Sequence, residues 1–329
     1  MTLKPQVYIA RKVPAEVEDY IAQHCSYKKW DRLEPIPRDY LFEQLADCEG
    51  LLTSGTRIDQ ELLEHSPKLK VVSNFSVGYN NFDLEAMRSR RVLGTNTPKV
   101  LDDTVADLIL SLMLSVARRV PELDRYVRHG HWSSKDDESI FGLDVHHKTL
   151  GIIGMGNIGQ AVAHRGKWGF GMNILYHSRQ RKPDAEQALG AEYRSKEELL
   201  RESDFIVLMT PLTPETRHYI GEREFALMKP SAIFINASRG ATVDEAAMID
   251  ALRQKQIFGA GLDVFEQEPV DPNNPLLTMD NVVLLPHIGS ATSQTRLEMG
   301  MLAARNLIDA LNGRRPAQLV RELQSIYES

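Results

Sequence analysis

Residues 149–163 read TLGIIGMGNIGQAVA. A short apolar run, TLGIIG, leads into three glycines spaced Gly154-x-Gly156-x-x-Gly159, and an amphipathic pattern follows without a break. The glycine spacing alone is a weak signal. A strand before it and a helix after it supply the context that gives it meaning. Gly154 then permits the tight turn, Gly156 lets the backbone approach a pyrophosphate, and Gly159 lets the helix pack closely on the strand. The free N–H groups at the helix start, around Asn157 and Ile158, face the phosphates. The stretch therefore predicts a dinucleotide-binding strand–turn–helix unit.

On both sides of it, short apolar runs alternate with amphipathic segments. VYIA (7–10), GLLTSG (50–55) and LKVVSNFSV (69–77) read as buried strands, with helical segments at 14–24, 37–47 and 59–65. The series restarts at TLGIIG (149–154). NILYHS (173–178), FIVLMT (205–210), AIFINAS (232–238), GAGLDVF (259–265) and NVVLLP (281–286) follow, with helical patterns such as 222–229 and 244–254 between them. This alternation predicts an α/β chain with two parallel sheets. A last helix over 292–312, stopped by Gly313 and Pro316, follows the second sheet and is expected to dock back on the first. Thr97–Pro98 and the HIGSA stretch (287–291) are the expected hinges.

A length of 329 residues suits about two domains. A net charge of −6 gives no reason to expect a nucleic-acid partner. Two cysteines, Cys25 and Cys48, are too few for a disulfide-built secreted protein, so a cytoplasmic location is expected. The first residues lack the apolar core of a signal peptide. The most apolar segment, 104–120, is shorter than a membrane span and is broken by Asp107, Ser111 and Ser115. It reads as a buried helix with an acidic start and a basic end at Arg118–Arg119, and no membrane association is expected. No histidine pair has the spacing and nearby carboxylate of a metal site, so no metal is expected.

In a unit of this kind an acidic residue about 20 positions after the glycines accepts the adenosine ribose hydroxyls. Here that position falls in LYHSRQRK (175–182), which holds Ser178 and Arg179 and no acid. A hydroxyl and a guanidinium can instead hold a 2′-phosphate through charge-assisted hydrogen bonds. The expected cofactor is NADP(H), with NAD(H) possible. Arg181 and Lys182 add diffuse positive potential.

Three polar residues recur at the ends of later strands: Arg239 after AIFINAS, Glu268 after GLDVF and His287 after NVVLLP. In an open parallel sheet all three reach the carboxyl-end rim that holds the nucleotide. Together they meet the needs of hydride reduction of a 2-oxo acid. Arg239 offers a forked cation for the carboxylate and carbonyl. His287 offers a proton near neutral pH, and Glu268 fixes its tautomer. Asp263 is a candidate second orienting carboxylate.

These motifs resemble the D-2-hydroxyacid dehydrogenase family from end to end. The stretches that carry the resemblance are NFSVGYNNFD (74–83), TPKVLDDTVADLIL (97–110), GIIGMGNIGQAVA (151–163), PLTPETRHYI (211–220), FINASRGATVDE (234–245), GAGLDVFEQEP (259–269) and LLPHIGSATSQTR (284–296). VHHKTLGI and LPHIGSAT are most similar to the glyoxylate/hydroxypyruvate reductase branch that also reduces 2-ketogluconate. The resemblance implies a Rossmann cofactor domain, 101–289, inserted in a flavodoxin-like substrate domain, 1–100 and 290–329. It implies Arg239, Glu268 and His287 as the catalytic trio, and the amides of Val77 and Gly78, with Arg239 and Ser290, as the substrate contacts. It places Thr104, Ala237 and Asp263 around the nicotinamide, and Thr210 and Pro211 under the adenosine. It also implies a homodimer formed through the cofactor domain, with Trp132 and Phe141 as the two candidates for an aromatic residue reaching a partner's pocket.

The expected activity is NADPH-dependent reduction of small 2-oxo acids, glyoxylate to glycolate and hydroxypyruvate to D-glycerate. A 2-ketogluconate reductase of the same chemistry is the alternative. Phosphoglycerate dehydrogenase fits less well, because the large enzymes of that type carry C-terminal regulatory domains and this sequence stops just after its last helix. An NAD(P)H-sensing corepressor-like binding protein is an alternative of another class. The lack of an added partner-binding segment or basic face speaks against it.

Overall fold

The computed structural model describes residues 4–32, 34–134 and 138–328. The chain divides into two compact units, Met1–Leu101 with Ser290–Ser329, and Asp102–Gly289. Elements are numbered through both units in chain order.

The first unit holds a five-stranded parallel sheet of β1 (Gln6–Ile9), β2 (Ser26–Lys29), β3 (Gly50–Thr53), β4 (Val71–Asn74) and β5 (Leu93–Thr95), in the order β2-β1-β3-β4-β5. This is the flavodoxin-like order. Helices α1 (Ala15–His24), α2 (Arg38–Leu45), α3 (Gln60–Glu64) and α4 (Leu84–Ser89) connect the strands. Asp59 caps α3 through the Leu62 amide and Asp83 caps α4 through the Ala86 amide, which satisfies donors that a helix start leaves orphaned. The central strands β3 and β4 are buried along their whole length. The edge strand β2, with the sequence SYKK, is largely exposed, so no apolar run announces it.

The long helix α12 (Ser293–Leu311) returns to this sheet and packs on α1, β3, β4 and β5. Gly300 makes the approach possible: a Cβ there would meet Val17 at 2.7 Å and Phe75 at 3.0 Å. Leu307 is fully buried, and Ser73 Oγ donates to the Ala303 carbonyl at 2.8 Å. The short α13 (Ser325–Glu328) ends the unit.

The second unit opens with α5 (Asp102–Ala117) and α6 (Val120–Arg128). The sequence pattern predicts one helix through residue 120, but α5 stops at Ala117. Arg119 turns into the left-handed region at φ +54° and starts a new helix. Its guanidinium pairs with Glu122 and takes the Ser139 and Phe141 carbonyls, bonds that hold the break.

The parallel sheet of this unit has β6 (Thr149–Ile153), β7 (Asn173–His177), β8 (Glu192–Tyr193), β9 (Phe205–Leu208), β10 (Ile233–Asn236), β11 (Gly259–Leu262) and β12 (Val282–Leu284). They are ordered β12-β11-β10-β9-β6-β7-β8. Order reverses between β6 and β9, the switch point where doubly wound Rossmann sheets bind ligands. Connecting helices are α7 (Asn157–Phe170), α8 (Pro183–Leu189), α9 (Lys196–Glu202), α10 (Glu222–Leu227) and α11 (Glu245–Arg253). Strands β9, β10 and β11 are buried throughout, as their unbroken apolar sequences require. Gly261 lets α5 close on the sheet, since a Cβ there would meet Leu112 at 3.0 Å.

The docking of α12 is testable. Leu307→Ala should lower the stability of the first unit by roughly 2–5 kcal/mol, the cost of a core cavity, read as an earlier urea midpoint. A change under about 1 kcal/mol would mean that α12 adds little to that core.

Candidate active site

Every strand of the second sheet is parallel, so the loops after β6, β7, β9, β10, β11 and β12 leave from one edge. The candidate site residues of this unit other than Thr104 lie on these loops or at the start of α7.

The turn after β6 is built by its glycines. Gly154 sits at φ +108°, where a Cβ would meet the Met209 carbonyl at 2.6 Å. A Cβ on Gly159 would strike the Gly154 carbonyl. Gly156 differs: nothing lies within 4 Å of the place its Cβ would take, and no side chain caps α7 there. The helix therefore opens onto free space, with the amides around Asn157 and Ile158 at its start. After β9, the Thr210 hydroxyl is buried and has no hydrogen-bond partner among the described residues, and Pro211 is exposed beside it. An open helix start and an orphaned hydroxyl on the neighbouring strand are what a bound pyrophosphate would satisfy, so the residues present fit a dinucleotide.

At the end of β7 the basic stretch separates into two kinds of residue. Arg181 is occupied: it pairs with Glu186 at 2.8 Å and lies over Tyr193. The Lys182 amide is held by the Tyr176 hydroxyl. Arg179 is exposed and forms no ion pair among the described residues, and Ser178 bonds only to the Gln180 carbonyl of its own turn.

Arg239 follows β10 in a dense polar turn. The Asn236 and Thr242 side chains both donate to its carbonyl, at 3.1 and 2.6 Å, and Ser238 Oγ donates to Asn236 at 2.8 Å. The next residue must be glycine, because a Cβ on Gly240 would overlap the Phe265 carbonyl. Burial pushes the Arg239 guanidinium below its ordinary value, and the Glu268 carboxylate works against that shift. Ala237 lies half-buried in the same turn.

Glu268 and His287 meet at 2.7 Å through Glu268 Oε2 and His287 Nδ1. Glu268 Oε1 is held by the Phe265 amide at 3.1 Å. Burial alone would raise the Glu268 carboxyl, but the His287 hydrogen bond and charge, the Phe265 amide and Arg239 bring it below the usual carboxylate value. An ionised carboxylate only accepts, so Nδ1 carries the proton and Nε2 faces outward. The imidazole keeps 47% of its side-chain surface exposed, enough to meet a substrate.

His287 lies at φ +53°, a strained setting for a side-chain-bearing residue. Asp263 holds it there. This buried carboxylate accepts the Ile288 amide at 2.7 Å and the Gly289 amide at 2.8 Å. Burial raises the Asp263 carboxyl, and those two amides lower it again by a smaller amount. Both its oxygens are committed to the backbone just after His287.

In the first unit, the loop after β4 carries Val77 and Gly78. Asn96 donates to the Val77 carbonyl and Asn74 to the Gly78 carbonyl, each at 2.8 Å. The Val77 and Gly78 amides donate to no described residue. Two adjacent unpaired amides form a ready anion cradle. Ser290 opens the return segment of this unit. Thr104 lies in the first turn of α5.

Sequence reasoning missed Asn74, Asn236, Ser238 and Gly240. The only sequence signal was their position directly at or after strand ends. Trp132 and Phe141 are 70% and 64% exposed. Among the described residues no group of three or more His, Cys, Asp or Glu side chains could hold a metal ion, and no helix is long and apolar enough to cross a membrane.

Residues 110–289 match the model of the D-isomer specific 2-hydroxyacid dehydrogenase, NAD binding domain. The chain belongs to the D-isomer specific 2-hydroxyacid dehydrogenase family. Its similarity to glyoxylate/hydroxypyruvate reductase B of Klebsiella pneumoniae is 50% identity over 94% of this chain and 96% of that protein. The enzyme of the same name from Escherichia fergusonii is 48% identical, over 94% and 96%. Among solved structures, a protein of Thermus thermophilus superposes with a TM-score of 0.90 at 42% identity, covering 96% of this chain and 99% of that one. The NADPH-dependent glyoxylate/hydroxypyruvate reductase of Sinorhizobium meliloti, in complex with NADP and malonate, gives 0.85 at 31% identity, covering 97% and 98%.

The grip of Asp263 predicts a specific defect. Asp263→Asn turns one acceptor into a donor facing a backbone amide, so the His287 segment should loosen. We expect kcat with glyoxylate to fall about 10–100-fold while the circular dichroism spectrum stays native. Near-native kcat would remove the positioning role.

Proposed function

We propose that this protein reduces small 2-oxo acids with NADPH, glyoxylate to glycolate and hydroxypyruvate to D-glycerate. One observation carries the reading: the Glu268–His287 pair and Arg239 stand on loops of the same sheet edge as the open glycine turn. The activities named for the bacterial relatives at 48–50% identity agree with it.

Bound NADPH supplies the hydride. Gly154, Gly156 and Gly159 with the start of α7 would hold its pyrophosphate, Ser178 and Arg179 its 2′-phosphate, Thr210 and Pro211 its adenosine, and Thr104, Ala237 and Asp263 its nicotinamide. Arg239 orients the substrate carbonyl and carboxylate, and the Val77 and Gly78 amides, with Ser290, hold the carboxylate. His287 gives the proton on Nε2 to the carbonyl oxygen as that carbon is reduced, and Glu268 orients the ring through Nδ1. The first unit is thus the substrate-binding domain and the second the cofactor domain.

We also propose a homodimer formed through the second unit. Leu110, Leu114, Val120, Trp168 and Phe170 line a surface hollow of about 580 Å³, and Trp168 is 65% exposed and Val120 51%. Apolar groups so exposed fit a second copy better than water. A cytoplasmic location fits the two buried free cysteines.

His287→Ala should lower kcat by about 10²–10⁴, the usual contribution of a general acid, with NADPH affinity unchanged. Turnover close to wild type would remove His287 as the proton donor. Arg179→Asp should reduce the kcat/KM ratio of NADPH over NADH by at least about tenfold, as expected for hydrogen bonds to a charged group. An unmoved ratio would refute the 2′-phosphate role.

A further inference from the structure

Most buried or half-buried arginines of this chain have acids beside them. Arg38 has Asp59 and Glu61, Arg165 has Asp103 and Asp107, and Arg194 has Glu192 and Glu202. Two arginines of the first unit do not. Arg11 leaves the carboxyl end of β1, and its guanidinium lies 4.4 Å over the Phe75 ring. Arg296, on the first turn of α12, reaches the same ring at 6.0 Å. The one hydrogen bond of Arg11 is a long one, 3.4 Å, to the Lys12 carbonyl. Neither arginine forms an ion pair with a described residue, and α12 brings no acid in its first turn. Burial, then the charge of Arg296, push the Arg11 guanidinium down to about 10, and burial pushes Arg296 down as well. Two like charges are thus held over one ring where each disfavours the other.

Space lies beside Arg11. Arg11 lines a pocket of about 550 Å³ beyond the ends of β1 and β3, with Trp30, Ile36 and Leu41 as apolar lining. Lys12, Arg32 and Glu34 stand on its wall, none of them in an ion pair with a described residue, whereas Arg38 and Arg57 on the same wall are neutralised by Asp59. Phe75 directly precedes the Ser76–Gly78 loop with its two unpaired amides. One unit therefore carries two sets of anion-seeking donors joined through Phe75, a neutral set of backbone amides and a cationic pair of guanidinium groups.

We propose that Arg11 and Arg296 receive a second carboxylate at the far end of an extended 2-oxo acid, so that the substrate class includes 2-oxo dicarboxylates. The inference rests on the proposed function, which places the first carboxylate on the Val77–Gly78 loop. An incoming dianion relieves the repulsion over Phe75 and gains charge-assisted hydrogen bonds from a forked donor. An uncharged tail of equal length gains neither.

The test compares kcat/KM with NADPH for 2-oxoglutarate against 2-oxopentanoate, and 2-oxoadipate against 2-oxohexanoate. We expect at least one dicarboxylate to be preferred by about tenfold or more. Arg11→Gln and Arg296→Gln should each erase most of that preference, and Arg11→Lys should keep part of it. Glyoxylate turnover should stay within about threefold. Glutarate, which has no oxo group, should raise the melting temperature of the wild type more than pentanoate does, and Arg11→Gln should lose that difference. No preference for a charged tail in the wild type would overturn the inference. So would a parallel loss with glyoxylate, which would give the arginines to the first carboxylate or to the fold. If the wild type reduces no 2-oxo acid, the proposed function fails instead, and glutarate protection still decides the anion site. Should the Gln variants not fold, the tail preference of the wild type and of Arg11→Lys decides.

Discussion

A buried carboxylate whose hydrogen bonds come from backbone amides holds the site together. Asp263 spends both oxygens on the amides of Ile288 and Gly289. Without it, the turn that puts His287 at φ +53° would have to hold a left-handed backbone with little to fix it. Strain of this kind costs on the order of 1–3 kcal/mol and persists only where the surroundings over-determine it. Two short bonds from a carboxylate inside the sheet edge are such surroundings. Once the turn is fixed, Nδ1 of His287 meets Glu268 at 2.7 Å and the opposite nitrogen is presented outward. The orientation of the His287 ring is thus set by the backbone before any ligand arrives, which is the condition that the proposed acid catalysis requires.

The same edge is arranged so that its donors are left for something else. The glycines of the β6–α7 turn are there for opposite reasons. At Gly154 and Gly159 a side chain would collide with carbonyls, while at Gly156 a side chain would occupy open space. The first two make the turn possible and the third keeps it empty. Arg239 completes the edge, its turn fixed by Asn236, Ser238 and Thr242 and by its own guanidinium, which donates to the Ser238 carbonyl at 2.7 Å.

Much of this was legible in the sequence, for a physical reason. Strands buried on both faces must be continuously apolar, so TLGII, FIVL and IFIN were readable, and in a parallel sheet their ends locate the functional rim without further information. Edge strands escape that rule. SYKK and EY have water on one side, and their sequences carry no apolar run. The division of the predicted 104–120 helix at Arg119 was also hidden, because arginine carries no left-handed preference and the cause lies in distant carbonyls of Ser139 and Phe141. Asp263 shows the deepest limit. Its partners are backbone amides, which have no side-chain identity, so its part in holding His287 could not be read from residue types.

Two arginines of the first unit stand apart from the paired charges found elsewhere in the chain. In the second unit Glu268 and His287 face one another, Arg181 faces Glu186, and Arg165 faces two aspartates. Opposite charges kept together hold geometry, as a reaction centre needs. In the first unit Arg11 and Arg296 share an aromatic ring with no acid between them. Contact with the ring favours that arrangement, but desolvation and mutual repulsion both oppose it. An anion between the two would relieve the repulsion, which is the binding role proposed for them. On the reading proposed above, the length and charge of a substrate's tail are governed by these two unsatisfied charges of the first unit.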